Sequence, residues 1–432
     1  MLGNRWFRGY ILSGLAVMVF MAPTTAISQA TLDRASLTPY APILGNFINI
    51  WEDAVGNSNQ EVIYNPERDE FLSLWISYQS DRSDVWARRI SASGALLGWY
   101  TVYSTVGRRY VEADIAYSPQ HHQYLVVMTQ KIYDDDYDIH AVHFDDDGTD
   151  FSYFPIELDP RIQQHPYVVY NTQQDEYLVV YENKKTDGSI ETVARRINGS
   201  NFSLIGSSRT TLAAVGAKQY RYDPAVAYNP ARNNYLVAYD FEDENGPTAY
   251  IGSKTVSYDL TSLGPEVNLS NSFGMQPDIA VAHDQFLVVW CNPPADDVGA
   301  RRVNYDGQPF GASGGFHLSS SSAGSFYARR PHVSFMHNIG YWVAWDRFNG
   351  TTYDESDIYA NIVFSGQDQP ASSEFLVDAD LNYQGEPAIA CRSFGPCLLT
   401  EVYNLSDYPL GDYDIRGRVL YLPTLYLPVV RK

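Results

Sequence analysis

Short apolar runs rich in Val, Ile and aromatic residues punctuate this chain, and none of them keeps a helical period. One phrase ends on an aromatic before a turn: E-V-I-Y-N-P at Tyr64, D-I-A-Y-S-P at Tyr117, P-Y-V-V-Y-N at Tyr170 and P-A-V-A-Y-N-P at Tyr228. Weaker copies end at Val281, Phe335 and Cys391, and the intervals are 53, 53, 58, 53, 54 and 56 residues. A second phrase follows within five to seven residues, as in F-L-S-L-W from Phe71, Y-L-V-V-Y from Tyr177, Y-W-V-A-W from Tyr341 and C-L-L-T-E from Cys397. Short apolar runs bounded by turns predict buried strands. Linkers such as Asn65-Pro66-Glu67-Arg68-Asp69 are turn chemistry, so the two phrases predict a hairpin.

A third phrase follows a polar loop: D-V-W-A-R-R-I from Asp84, E-T-V-A-R-R-I from Glu191, D-V-G-A-R-R-V from Asp297 and D-I-R-G-R-V-L from Asp414. A Gly-bearing turn and a weaker fourth strand usually come next. Four antiparallel strands in a unit of this length predict a β-propeller blade. Seven repeats predict an all-β, seven-bladed propeller of four-stranded antiparallel blades. The seventh repeat has no obvious fourth strand, whereas a lone strand, Phe47 to Trp51, precedes the first. Pairing that N-terminal strand with the last blade closes the ring and removes an open edge. An open solenoid or two smaller sheets are the alternatives.

These phrases resemble the repeats of bacterial secreted propeller proteins that carry Y-N-P, Y-L-V-V-W and D-I-x-A-R-R-V motifs. The resemblance spans about residues 45 to 420. It implies an architecture more than an activity, because members of that group are mostly uncharacterised. The Ser-x-Asp-x-Gly-x-x-Trp box of sialidases and the Gly-His and Trp-Asp pairs of WD repeats are absent.

Composition narrows the partners. The 432 residues hold 30 Lys+Arg against 51 Asp+Glu, a net charge of −21. Such a balance argues against nucleic acid and anionic lipid, both of which call for a basic face. Arg5 and Arg8, the apolar stretch Tyr10 to Met21 and small residues up to Ala30 have the layout of a secretory signal peptide. Its removal leaves 28 basic against 51 acidic residues, a net of −23. The expected organisation is a signal peptide over 1–30, one propeller over 31–425 and a tail over 426–432. The mature chain is expected as a secreted or cell-surface monomer without a membrane span.

Repetition mostly reports packing, since each blade meets the same neighbours. The recurring aromatics read as anchors between blades, and Ala116, Ala227, Ala280, Ser334 and Ala390 suit a crowded innermost strand. The third-strand Asp could pair with Arg88, Arg195, Arg301 or Arg418. Cys391 and Cys397 replace the aromatic pair of the other hairpins, which predicts a cross-strand disulfide. Cys291 reads as an inert buried thiol.

The position five before each anchor is polar in every repeat: Asn59, Glu112, His165, Asp223, Gln276, Arg330 and Glu386. These residues predict a ring at one channel mouth, either a ligand site or a solvated entrance. Arg108, Arg109, Arg161, Arg221, Arg329 and Arg330 make its approaches locally basic, which could attract an anion or neutralise nearby acids. Loops between second and third strands pair aromatics with acids, including Tyr133, Tyr137 and Tyr353, a combination that suits sugar. Asp145, Asp147 and Asp150 are a weak Ca²⁺ pattern, because the run lacks a complete EF-hand ligand set. No other cofactor is implied.

The leading functional reading is a non-catalytic propeller that binds a glycan, peptide or protein at the channel face. A glycoside hydrolase or lyase is the alternative, with Glu112, Glu386 and Asp223 as acid and base or nucleophile and His165 as proton carrier. That reading has Glu112 and Glu386 facing each other across the first blade. A cell-surface scaffold is the third reading. No Ser-centred elbow, His-Glu-x-x-His or phosphate loop is present.

Overall fold

The computed structural model describes residues 42–422 except 54, 247, 283, 294–296, 320–325, 338, 350–355, 380–382 and 405–412. The expected signal peptide, the tail and Tyr353 lie outside the described residues. Every named element is a β-strand. Each repeat begins with an inner strand: Gly56–Asn65, Arg109–Ser118, Gln163–Asn171, Gln219–Asn229, Met275–Val281, Phe326–Met336 and Gln384–Cys391. Each inner strand packs on those of the neighbouring repeats, and the first packs on the last, so they enclose a common axis. Ala116, Ala227, Ala280 and Ala390 are almost fully buried there.

The expectation of seven separate four-stranded blades is corrected. Strand pairing yields five four-stranded blades, and the third and fourth repeats run together as one sheet of eight strands. The junction is a parallel pairing of Ile190 with Tyr220. Elsewhere the same approach stays an isolated bridge, Tyr137 with Ile162 and Ser356 with Tyr383. The fusion falls within the longest repeat interval, where the inner strand Gln219–Asn229 takes in Tyr220.

The second strands, such as Glu176–Lys184, are buried almost end to end. Both faces of a blade are covered by neighbours, which explains continuous apolar runs in place of alternation. The anchor pairs stack across the first hairpin, with ring centroids 4.9 Å apart for Tyr117–Tyr124 and Tyr170–Tyr177. The Asn of the Y-N-P phrase works in two directions. Asn65 Oδ1 accepts the turn N–H groups of Glu67 and Arg68, while its Nδ2 donates 2.9 Å to the Tyr124 hydroxyl of the next repeat. Asn171 bonds Tyr235 in the same way.

The third-strand arginines reach the repeat before their own. Arg88, Arg301 and Arg418 donate to the carbonyls of Ile50, Leu269 and Val377 on preceding outer segments, at 2.7, 2.9 and 2.6 Å. Arg195 pairs with Glu157 of the preceding repeat at 3.3 Å. These side chains therefore clamp one repeat to the one before it.

The N-terminal strand Ile43–Trp51 lies antiparallel to the last strand, Tyr413–Tyr421. Its Trp51 ring packs against Trp75, Trp86 and Trp99 of the first repeat, with centroids 5.3 to 5.5 Å apart. One short strand thus ties the last repeat to the first.

Candidate functional site

The polar ring has a backbone cause. Every inner strand shifts register against its partner at this height, with one residue more than the strand beside it. Such a bulge bends the strand and re-aims a side chain. Asn59, His165, Asp223, Gln276, Arg330 and Glu386 sit at φ between +45° and +54°, whereas Glu112 takes no such conformation. Six non-glycine residues in a left-handed conformation, each costing roughly 1 kcal/mol or more, persist only where the surroundings fix them.

Those surroundings are the neighbouring ring residues. Asn59 N–H donates 2.8 Å to Glu386 Oε2, and His165 N–H donates 2.8 Å to Glu112 Oε2. Arg330 N–H donates 3.3 Å to Gln276 Oε1. A ring side chain thus accepts the backbone N–H of the next ring residue. At Asp223 the acceptor is Glu182 instead, at 2.8 Å, because the His165 ring is itself bonded to Glu182.

Glu182 belongs to a second set of residues that the repeat comparison did not single out. The position five after the start of each second phrase holds Ile76, Thr129, Glu182, Asp240, Cys291, Asp346 and Val402. Thr129 donates to Glu112, Glu182 bonds His165 at 2.7 Å, and Cys291 Sγ lies 3.6 Å from Gln276 Oε1. Asp346 lies 3.7 Å from Arg329. The signal was available: a polar residue directly after an apolar run, in register with the ring.

The ring has an acidic sector and a basic one. In the acidic sector, His165 Nε2 lies 3.0 Å from Glu112, and Nδ1 lies 2.7 Å from Glu182 and 3.5 Å from Asp223. Burial opposes the imidazolium, but the charges of Glu112, Glu182 and Asp223 hold the His165 pKa well above its ordinary value. Burial likewise works against the Glu112 anion, yet His165 draws its pKa down to about 2. Burial raises the Asp223 pKa despite the attraction of His165, and Glu182 adds to the rise.

In the basic sector Arg330 pairs with Glu386 at 2.9 Å and donates 3.3 Å to the Tyr383 hydroxyl. Asp346 is fully buried there, and burial raises its pKa against the pull of Arg330 and Arg329. Glu112 and Glu386 do not face each other directly. Asn59 stands between them, its N–H on Glu386 and its Nδ2 donating 2.7 Å to the Val111 carbonyl. A small recess, with room for about one water molecule, lies over the acidic sector, lined by Asn59, Glu112, His165 and Asp223 among others.

The remaining sequence candidates lie elsewhere. Arg109 donates 3.0 Å to the Ser80 carbonyl on an exposed edge. Tyr133 is 69% exposed, and Tyr137 lies under the Lys131 ammonium. Arg161 pairs with Asp159 and Arg221 with Glu266, so the basic approaches are neutralised locally. Asp145 accepts from Gln123, Asp147 caps the turn at Thr149, and Asp150 adopts φ 55°. These three aspartates form a turn. Among the described residues, the metal-donor group that does converge is His165, Glu182 and Asp223. Cys391 and Cys397 are disulfide-bonded, with Cα atoms 4.0 Å apart, as expected from their cross-strand positions. Cys291 is buried, and burial pushes its thiol up to about 12.

No protein-family model matches this chain, and no curated protein matches it. Solved structures share its fold. A protein of unknown function from Dyadobacter fermentans has a TM-score of 0.53 at 8% identity, covering 88% of this chain and 99% of its own. The β-propeller domain of Cps50 (Swd1) from Myceliophteria thermophila has a TM-score of 0.53 at 11% identity, with 89% and 100% covered. The GH93 α-L-arabinofuranosidase of Fusarium graminearum, solved with arabinobiose, has a TM-score of 0.51 at 12% identity, with 88% and 98% covered. At these identities the likeness is one of fold: an all-β propeller.

Proposed function

We propose that this protein is a secreted β-propeller that binds a hydroxyl-rich glycan at the polar ring without cleaving it. The observation that carries the reading is the ring itself. Its side chains are fixed by backbone bulges and by bonds to their neighbours, and Asn59, Glu112, His165 and Asp223 line a small recess at the ring. Fixed donors and acceptors side by side suit hydroxyls, each of which donates and accepts. The layout of the first thirty residues and the Cys391–Cys397 disulfide support an oxidising compartment outside the cytoplasm.

Paired-carboxylate hydrolysis is disfavoured by the same bonds. A general acid works with a raised pKa, whereas Glu112 is held down at about 2 and is engaged by Thr129 and His165. Glu386 is occupied by Asn59 and Arg330. The test is a soluble-polysaccharide binding screen with reducing ends measured in parallel. Saturable binding without new reducing ends is expected, weakened about 10-fold or more by Asn59→Ala through loss of a hydrogen-bonding group in the recess. Turnover that Glu112→Gln abolishes would overturn the reading.

A further inference from the structure

The acidic sector holds more charge than a latch between repeats requires. One acceptor per junction suffices elsewhere in the ring, as Gln276 does for Arg330 N–H. Around His165, three carboxylates meet one imidazole. The ligand atoms of His165, Glu182 and Asp223 all lie within 4.8 Å of one another.

The orientation of the imidazole is informative. Nε2 faces Glu112 at 3.0 Å, while Nδ1 faces Glu182 and Asp223. Metal-bound histidines commonly donate their other ring N–H to a carboxylate, which fixes tautomer and orientation. Glu112 stands in that outer position, and Thr129 Oγ1 donates to it at 2.8 Å. Gln164 Nε2 similarly donates 2.9 Å to Glu182 Oε2, leaving Oε1 toward His165.

A fourth acid supplies an independent observation. Asp240 is 3% exposed, and its Oδ1 has no hydrogen-bond partner among the described residues. It occupies in the fourth repeat the place that Glu182 holds in the third, opposite the bulge that carries Asp223. Glu182, Thr129 and Cys291 each approach the ring residue of their own repeat, so this register aims Asp240 at Asp223. Its pKa is driven well above the usual range by burial first, then by the charges of Asp223, Glu242 and Glu182. Keeping that buried oxygen ionised is costly, and a cation beside it offsets the cost.

We propose that His165, Glu182 and Asp223 form a binding site for one divalent transition-metal cation, with Asp240 as a buried acid beside it and Glu112 as the positioning residue for the imidazole. The mixed nitrogen and oxygen donors suit zinc or manganese, whereas calcium wants six to eight oxygens. A metal-ligating His165 Nδ1 must be unprotonated, so binding releases to solvent any proton it carries. The site does not depend on the glycan reading. Metal binding is read without any sugar present, so the two can fail separately.

The test is calorimetric titration of the chelator-stripped full chain with Zn²⁺ alone, together with thermal melts. One equivalent should bind at micromolar Kd or tighter and raise the Tm. Asp223→Asn should weaken binding at least about 10-fold, Asp240→Asn should weaken it less, and Glu112→Gln should weaken it while keeping one equivalent. Without metal, Asp223→Asn should melt at or above the wild-type temperature, because it removes charge from a crowded acid cluster. That melt separates a lost ligand from a lost fold. Absent Zn²⁺ binding, unchanged affinity in Asp223→Asn, or tighter Ca²⁺ than Zn²⁺ binding would overturn the assignment.

Discussion

At the scale of the residue, what a side chain does here depends on a backbone twist that its own identity does not announce. Gln276 has φ 54°, and its Oε1 accepts Arg330 N–H. Gln276→Ala removes the acceptor and keeps the strain, whereas Gln276→Gly removes both. Glycine should therefore be the more stable variant by about 1 kcal/mol, the reverse of the usual order within a strand. Urea unfolding of the pair measures the difference, and equal midpoints would refute the role of strain. Ring polarity was legible in the sequence because it recurs five residues before each anchor. The bulges were not, because Asn59, Gln276 and Arg330 share no feature that marks a left-handed residue. Asp138 and His140 offer a second test at this scale. Burial, with Asp136 and Glu157, raises Asp138 from 3.8 to about 6, and burial with Arg108 lowers His140 from 6.5 to about 4. Tyr153 bonds His140 Nδ1 at 2.7 Å, and Asp138 lies 3.9 Å from Nε2. The raised Asp138 contributes stability present below pH 3.8 and lost as pH rises through 6. The depressed His140 contributes stability present above pH 6.5 and lost as pH falls through 4. Each is worth about 3 kcal/mol at most, with opposite sign, so the two nearly cancel. Asp138→Asn should expose the His140 dependence, a fall in stability as pH drops from 6.5 to 4. A flat urea midpoint across that range would refute it.

At the scale of the element, the hairpin of inner and second strands is the unit that the sequence states most clearly. Its anchors pair directly: Tyr117 with Tyr124, Tyr228 with Tyr235 and Cys391 with Cys397. The cysteines were legible because they fill positions whose geometry other repeats define. The disulfide closes a short loop, with a sequence separation of 6, so its effect on the unfolded chain is modest. Replacing both cysteines by serine should cost about 2 kcal/mol from loop-closure entropy and lower the Tm by a few degrees, measured by calorimetry. A loss of global folding would show that the bond does more than close its own turn. The arginines of the third phrase were harder to read. An Asp and an Arg within one strand suggest an ion pair, yet Arg88 and Arg301 bond carbonyls of another repeat. Strand alternation within a repeat carries no information about the neighbouring repeat's backbone.

At the scale of the whole molecule, the order of strands was legible, but the division into sheets was not. Whether Tyr220 joins the ladder at Ile190 or stops short depends on where one strand begins, and the turn residues before it do not fix that. Closure at the front of the chain is a firmer consequence of sequence, because an unpaired strand and a repeat short of one strand complement each other. The structure adds a second bond between the two. The Ile43–Trp51 backbone pairs with the last strand, while the Trp51 ring stacks on Trp86 at 5.3 Å and Arg88 reaches the Ile50 carbonyl at 2.7 Å. The guanidinium of Arg418 lies 3.8 Å from the Phe47 ring centre. Removing residues 42–51 takes away a strand and all three of these ties at once, exposing the Tyr413–Tyr421 edge and the faces of Trp75 and Trp86. An exposed edge of this kind invites pairing with another chain. The truncated chain should therefore shift to larger species than the full chain in size-exclusion chromatography, with red-shifted tryptophan emission. Trp51→Ala keeps the backbone pairing and should show the emission change without association. If the truncated chain elutes and emits as the full chain does, the ring is held by the inner strands, and the N-terminal strand is an accessory to it.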